Sequence, residues 1–330
     1  MPVILNLSQI KEILGGIDVR EIIREIEDGF VAYSQGRVEV PPVGELIFDE
    51  PRGDVHIKYG YIHKDDYYVI KIASGFYDNS RVGLPTSSGM MLLFSRKTGV
   101  PLCILLDEGH LTQIRTAAAG AVAARYFAPR QVHRVGIFGA GVQGRLQLEY
   151  LRHVRDVREA VVWGIDRPEL ERYRQDMEAQ GFAVRTTMDA EEIAATCTLI
   201  VTATPSGKPL LRAEMIRKGT HITAMGSDTP EKQELDSAIL KMADRVVVDS
   251  IRQCLLRGEA FHALEAGLIQ RERMVELGAA IHEPNLQRQS DDEITVVDLT
   301  GVAVQDIQIS KAVWRAMSDP ACPGNDLPVA

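Results

Sequence analysis

The sequence predicts an α/β protein in which a doubly wound parallel sheet accompanies a second, discontinuous α+β domain. Three features predict it: β-branched and aromatic alternation between residues 43 and 107, strands alternating with helical stretches from residue 132, and a glycine pattern between a strand and a helix. Strands separated by about 10 to 15 residues of helical pattern imply parallel βαβ crossovers.

The length of 330 residues, with 45% hydrophobic and 25% charged side chains, suits about two ordinary globular domains. With 46 acidic against 37 basic groups the formal charge is −9, which speaks against nucleic acid as a partner. Cys103, Cys197, Cys254 and Cys322 show no C-x-x-C spacing and read as buried thiols of a reducing compartment. There is no basic leader, and no apolar run approaches the roughly 20 residues of a membrane span, so a cytoplasmic protein without membrane partners is expected.

Residues 8–35 place apolar side chains at helical spacing, with Gly15, Gly16 and Gly36 as stops, and predict two short helices. Residues 43–107, punctuated by turn-forming segments, predict a mostly antiparallel sheet. The alanine-rich stretch from Leu111 to Pro129 predicts a long helix, with Thr112 as its N-cap and Pro129 as its stop. Six strands follow from residue 132. They already complete a usual dinucleotide-binding sheet, so the strand-then-helix tail at 295–317 is expected to return to the first domain. The domains expected are residues 1–122 with 302–330, and residues 123–301.

After the strand RVGIF comes Gly139-Ala140-Gly141-Val142-Gln143-Gly144 and then a helical pattern, the context that a Rossmann dinucleotide site requires. Gly139 permits the tight turn, Gly141 admits the pyrophosphate close to the backbone, and Gly144 lets helix and strand pack. The cofactor is therefore NAD or NADP. Gly164 stands where an acid for the ribose is expected, Asp166 comes two residues late, and Arg167 can face a 2′-phosphate, which leans slightly to NADP.

Several polar residues interrupt apolar texture. Arg115, early in the alanine-rich helix, offers a bidentate clamp for a carboxylate or pyrophosphate, or a helix-surface ion pair. Lys71 lies in the apolar strand YYVIKIA and either points outward or awaits an anion. Lys58 shares a strand face with His56, and pairing of the two lysine strands would bring two cations to one pocket for a small carboxylate. Asp228 follows the strand THITA, at a carboxyl end where ligands of open α/β sheets bind, and is either catalytic or a helix N-cap. Thr204 ends another parallel strand on the expected nicotinamide side. The histidines show no metal spacing, and no serine elbow or Walker lysine is present.

Taken together, Lys71 with Gly83-Leu84-Pro85-Thr86, the segment Leu111 to Ala118, Gly139 to Gly144, Gly226 to Lys232, and Asp298-Leu299-Thr300-Gly301 resemble the ornithine cyclodeaminase and mu-crystallin family, in the family's order across most of the chain. The resemblance implies a nicotinamide-dependent enzyme acting at the α-carbon of an amino or imino acid, working as a homodimer through the discontinuous first domain. By matching position, Lys71 and Arg115 would grip the substrate carboxylate, while Thr86, Thr116, Val142, Gln143, Thr204 and Lys232 would contact the cofactor. Asp228 would be the acid–base group, and Thr300 would border substrate and nicotinamide.

Two departures from the family pattern bear on the substrate. Residues 41–50 hold no arginine where ornithine cyclodeaminases place a carboxylate ligand, and Lys58 replaces a glutamate that would receive a distal amine. Ornithine is thereby disfavoured. Three readings follow: an imine reductase or amino-acid dehydrogenase with net redox, a redox-neutral cyclodeaminase that recycles its cofactor, and a non-catalytic NAD(P)H-binding protein.

Overall fold

The computed structural model describes residues 1–318. The chain divides into two compact units, residues 1–115 with the chain from Val302 onward, and Thr116–Gly301. The division falls inside the alanine-rich helix, earlier than the boundary after residue 122 that the sequence suggested.

The chain opens with β1 (Val3–Asn6), α1 (Leu7–Gly15) and α2 (Val19–Ser34). Next come β2 (Val38–Glu39), β3 (Gly44–Phe48), β4 (Gly53–Ile62), β5 (Tyr67–Phe76), β6 (Ser87–Ser95), β7 (Pro101–Leu106) and α3 (His110–Phe127). The alternating part runs β8 (Val135–Phe138), α4 (Val142–Leu151), β9 (Glu159–Trp163), α5 (Arg167–Ala179), β10 (Ala183–Thr187), α6 (Ala190–Thr196), β11 (Leu199–Thr202) and β12 (His221–Ala224). It continues through α7 (Ser237–Met242), β13 (Arg245–Val248), α8 (Ile251–Cys254), α9 (Glu259–Glu265), β14 (Met274–Glu276), α10 (Leu277–His282) and β15 (Thr295–Asp298), and α11 (Ala303–Ser318) follows.

Local chemistry sets the helix starts. Asn6 and Gln9 form a reciprocal capping box at α1, and Asp18 Oδ1 accepts the Arg20 N–H at 2.8 Å to start α2. Helix α3 begins earlier than expected because Asp107 Oδ2 accepts the Leu111 N–H at 2.8 Å. Asp107 therefore caps this end, and Thr112 lies inside the helix. The alanines of α3 are buried from Ala117 to Ala124, because small side chains let neighbours approach on every side. A Cβ on Gly120 would lie 1.9 Å from Gln147 Oε1. The helix ends at Phe127, before Pro129.

The sheet of the first unit has the order β1-β7-β6-β5-β4, with β2 and β3 along β4, and it is antiparallel except for β1–β7. Alternation places Val69, Lys71, Met91, Leu93, Cys103 and Leu105 on one buried face. Helix α11 packs on that face, and α1 and α2 pack on α11. The opposite face carries Ile70, Ile72, Met90, Leu92 and Ile104, all only half-buried.

The sheet of the second unit is parallel throughout, in the order β10-β9-β8-β11-β12-β15-β13-β14. Its strand direction of growth reverses between β8 and β11, the switch point where such sheets bind ligands. Strand β15 inserts between β12 and β13, which corrects the expectation that the whole tail leaves this sheet. Thr295–Asp298 is buried along its whole length and so takes a covered position between two strands: β15 completes this sheet and only α11 joins the first unit.

Cys103, Cys197 and Cys254 are free and buried, and burial pushes the Cys103 thiol up to about 12. Cys322 lies outside the described residues. No helix among the described residues is long and apolar enough to cross a membrane.

Phe30, fully buried in α2, reports on how strongly this layer depends on packing. Phe30→Ala should lower unfolding stability by about 3–5 kcal/mol, read as an earlier urea midpoint at unchanged slope.

Candidate active site

The turn after β8 is built for close backbone approach. Gly139 has φ +110°, and a Cβ on it would lie 2.7 Å from the Ala203 carbonyl oxygen. A Cβ on Gly144 would lie 2.0 Å from the Gly139 carbonyl oxygen. Gly141 is the N-cap of α4 and offers no side-chain cap, so the first-turn amides keep their capacity for an anion. Tyr173 donates to the Gly144 carbonyl at 2.9 Å, and Arg145 binds the Ala140 carbonyl and Asp176 while stacking on Tyr173. These contacts tie α4 to α5.

A cavity of about 420 Å³ opens beside this turn, lined by Gly139, Ala140, Gly141, Trp163, Gly164, Ile165, Asp166, Glu169, Ala203, Thr204, Pro205, Ser206 and Leu210. Asp166 sits at its wall with Glu169, whereas Arg167 is an exposed first residue of α5 that does not line it. The glycine cradle, the uncapped helix end and the mostly apolar walls fit a dinucleotide.

A smaller hollow of about 190 Å³ brings together Gln143, Thr204, Gly226, Asp228 and Lys232. Asp228 Oδ1 accepts from Lys232 Nζ at 2.6 Å. Val142 stands exposed at the start of α4. Thr116 uses its carbonyl to accept from Gln147 Nε2 at 3.1 Å. Thr300 is buried, donating to Asp249 Oδ1 at 3.0 Å and accepting from Gln253 Nε2 at 2.8 Å.

In the first unit, β4 and β5 pair Lys58 directly with Lys71, as the sequence suggested. Lys71 points inward beneath α11, only 3% exposed, and its Nζ lies 3.3 Å from Asp306 Oδ2. Arg115, also buried, places Nε 3.1 Å from Asp306 Oδ1 and donates through Nη1 to Gln305 Oε1 at 2.9 Å. Burial alone would raise the Asp306 carboxyl, but Lys71, Arg115 and Lys58 outweigh it and hold the pKa below the usual carboxylate range. Burial lowers the Lys71 ammonium, Asp306 opposes that shift and Arg115 reinforces it. His56 lies farther along the same strand face, 3.3 Å from Asp54 Oδ1 and 3.5 Å from Glu45 Oε1. Thr86 occupies an exposed bend before β6, its carbonyl accepting from the Phe76 N–H.

Asp306, Asp107 and Glu169 were missed in the sequence. The signal for Asp306 was present, as the single acid of the α11 segment. Among the described residues no group of three His, Cys, Asp or Glu side chains could hold a metal ion.

Fold, glycine cradle and known relatives together define an NAD(P)-dependent enzyme of amino- or imino-acid α-carbon chemistry. The chain belongs to the ornithine cyclodeaminase/mu-crystallin family, whose sequence profile matches residues 5–320. A putative dehydrogenase of Rhizobium meliloti is 43% identical over 293 residues, covering 88% of this chain and 89% of its own. The structure of an archaeal alanine dehydrogenase dimer with bound NAD has a TM-score of 0.87 at 34% identity, covering 96% of each chain. That of the Thermococcus litoralis Delta(1)-pyrroline-2-carboxylate reductase with NADH and L-proline has a TM-score of 0.88 at 27% identity, covering 96% of this chain and 97% of its own.

Removing Asp306 would leave buried cations uncompensated, so Asp306→Ala should cost about 3–5 kcal/mol of unfolding stability. The wild-type contribution is complete above the unfolded carboxylate value of 3.8 and is lost as pH falls through the lower folded value. Urea midpoints should therefore fall more steeply below about pH 4 in wild type than in the variant.

Proposed function

We propose that the protein is an NAD(H)-dependent imine reductase or amino-acid dehydrogenase, with net hydride transfer at the α-carbon of a small amino or imino acid. The carrying observation is that buried Lys71 and Arg115 both lie at ion-pair distance from Asp306, with half-buried Lys58 paired to Lys71 across the strands. Buried cations held under a covering helix suit a substrate carboxylate, and that carboxylate in turn offsets the burial of Lys71. Lys58 beside Lys71 repels a distal ammonium, which argues against a diamino acid and hence against cyclisation with loss of ammonia.

A dinucleotide held by the turn after β8 would supply or accept the hydride. The chain's own residues bind, orient and move the proton: Arg115 and Lys71 fix the carboxylate, and Asp228, paired with Lys232, exchanges a proton at the substrate nitrogen. Gln143, Thr204 and Lys232 line the hollow that holds Asp228, which supports their assignment to the nicotinamide end. Val142, Thr116, Thr86 and Thr300 remain cofactor or substrate neighbours by family position only. Asp166 and Glu169 on the cavity wall favour a ribose hydroxyl over a 2′-phosphate, so we assign NAD(H), against the slight lean to NADP that Arg167 gave in the sequence.

The half-buried apolar sheet face supports a homodimer formed by the first units. Ile4, Tyr59 and Leu106 on it are exposed, and Ile70, Leu92 and Ile104 lie between them in register. The archaeal alanine dehydrogenase is itself a dimer.

Two measurements test these readings. A panel of α-keto acids with ammonia or methylamine, cyclic imines and diamino acids should consume NADH in preference to NADPH, and Asp228→Asn should lower kcat by about 10²–10⁴. Ammonia release at constant reduced-nicotinamide absorbance would assign the cyclodeaminase instead, and NADH binding without turnover on any substrate the non-catalytic role. Sedimentation should give a dimer for wild type and a monomer for Leu92→Glu, whereas a dimer of that variant would place the interface elsewhere.

A further inference from the structure

The second unit buries three carboxylates in series that the proposed reaction does not use. Asp298 Oδ2, at the end of β15, accepts the Ala260 N–H at 2.8 Å, at the start of α9. Glu259, beside it in α9, accepts the N–H groups of Glu234 at 2.7 Å and Leu235 at 3.1 Å. Glu234 is fully buried and takes four further donors. Its Oε1 accepts the backbone N–H of Thr204 at 2.6 Å and the Thr204 hydroxyl at 2.7 Å. Its Oε2 accepts the Thr202 hydroxyl at 2.8 Å and the Gly226 N–H at 2.9 Å.

Those four donors belong to the last residue of β11 and to the turns that leave β11 and β12. Thr204 lines both the large cavity and the smaller hollow, and Gly226 lines the latter with Asp228 two residues on. A Cβ on Gly226 would lie 2.2 Å from the Thr204 carbonyl oxygen and 2.5 Å from the Glu234 carboxyl, so the turns touch through backbone and share one clamp. An ionised carboxylate is acceptor-only and matches four donors, whereas an amide of the same size presents an NH₂ group to two of them.

We propose that Glu234 is the positioning residue of the cofactor site: through one carboxylate it sets Thr204 and the turn bearing Asp228 at the spacing the nicotinamide end needs. The inference rests on the dinucleotide reading of the cavity. Displacements of about 1 Å at such sites cost on the order of a hundredfold in rate, so a clamp remote from the ligand can govern it.

NADH fluorescence titration of the full chain tests the assignment, using wild type, Glu234→Gln, Thr202→Val and Val246→Ala. The last removes two buried methyl groups in β13, away from the clamp, and should lower the melting temperature. Glu234→Gln should raise the NADH Kd about tenfold or more, and Thr202→Val about threefold although Thr202 lines neither cavity, with Val246→Ala staying within about twofold of wild type. A Glu234→Gln Kd no higher than that of Val246→Ala overturns the inference. Should Glu234→Gln fail to fold, an unchanged Kd in Thr202→Val overturns it equally. Wild type that binds neither NADH nor NADPH removes the dinucleotide reading and this inference together, whereas equal binding by wild type and variants removes the inference alone.

Discussion

The carboxylate of Asp306 is the interaction on which the first unit depends. One buried acid faces Lys71 and Arg115 at ion-pair distance and feels Lys58 beside them. Without it, a helix laid over the sheet would seal cations in a medium of low polarity, at a cost of several kcal/mol for each ion. With it, α11 can cover the sheet above Lys71 and Arg115. The same residue thus permits the packing and compensates the charge beneath it.

The second unit solves a different problem. Its central strands are buried on both faces, so recognition falls to the turns at their carboxyl ends, where backbone comes close to the cavity. Gly139, Gly144 and Gly226 allow chain segments to approach closer than any Cβ permits. Buried carboxylates then hold those segments by their amides and hydroxyls: Asp249 takes the Thr300 hydroxyl and the Gly301 N–H, and Glu234 takes Thr204 and Gly226. Burial raises the Glu234 carboxyl above its usual range, and the hydrogen bonds from Thr204, Thr202 and Gly226 offset only part of that rise.

Much of this was legible in the residues. Period-two alternation in 43–107 and the strand–helix alternation after 132 have direct counterparts in the two sheets, because side-chain period reflects which faces are covered. The Lys58–Lys71 pairing was legible only as a condition on which strands are neighbours, and the sheet meets that condition in register. The cap of α3 was misplaced because Asp107, at the end of a strand, reaches forward to Leu111, and sequence does not distinguish a strand-end acid from a cap. The place of β15 was misread because strand order is a long-range property: nothing in Thr295–Asp298 says which strands it will separate.

The sequence by itself determined the element types, the dinucleotide turn and the residue kinds available to the chemistry. These are local properties, set by propensity, spacing and the absence of a Cβ. Only the tertiary structure decided that Asp306, 235 positions after Lys71 in the chain, is its partner, that Asp166 and not Arg167 reaches the cavity wall, and that Glu234 joins two turns. Charge pairing and hydrogen bonding act over a few ångströms regardless of sequence separation, so they are fixed only once the chain has brought distant segments together.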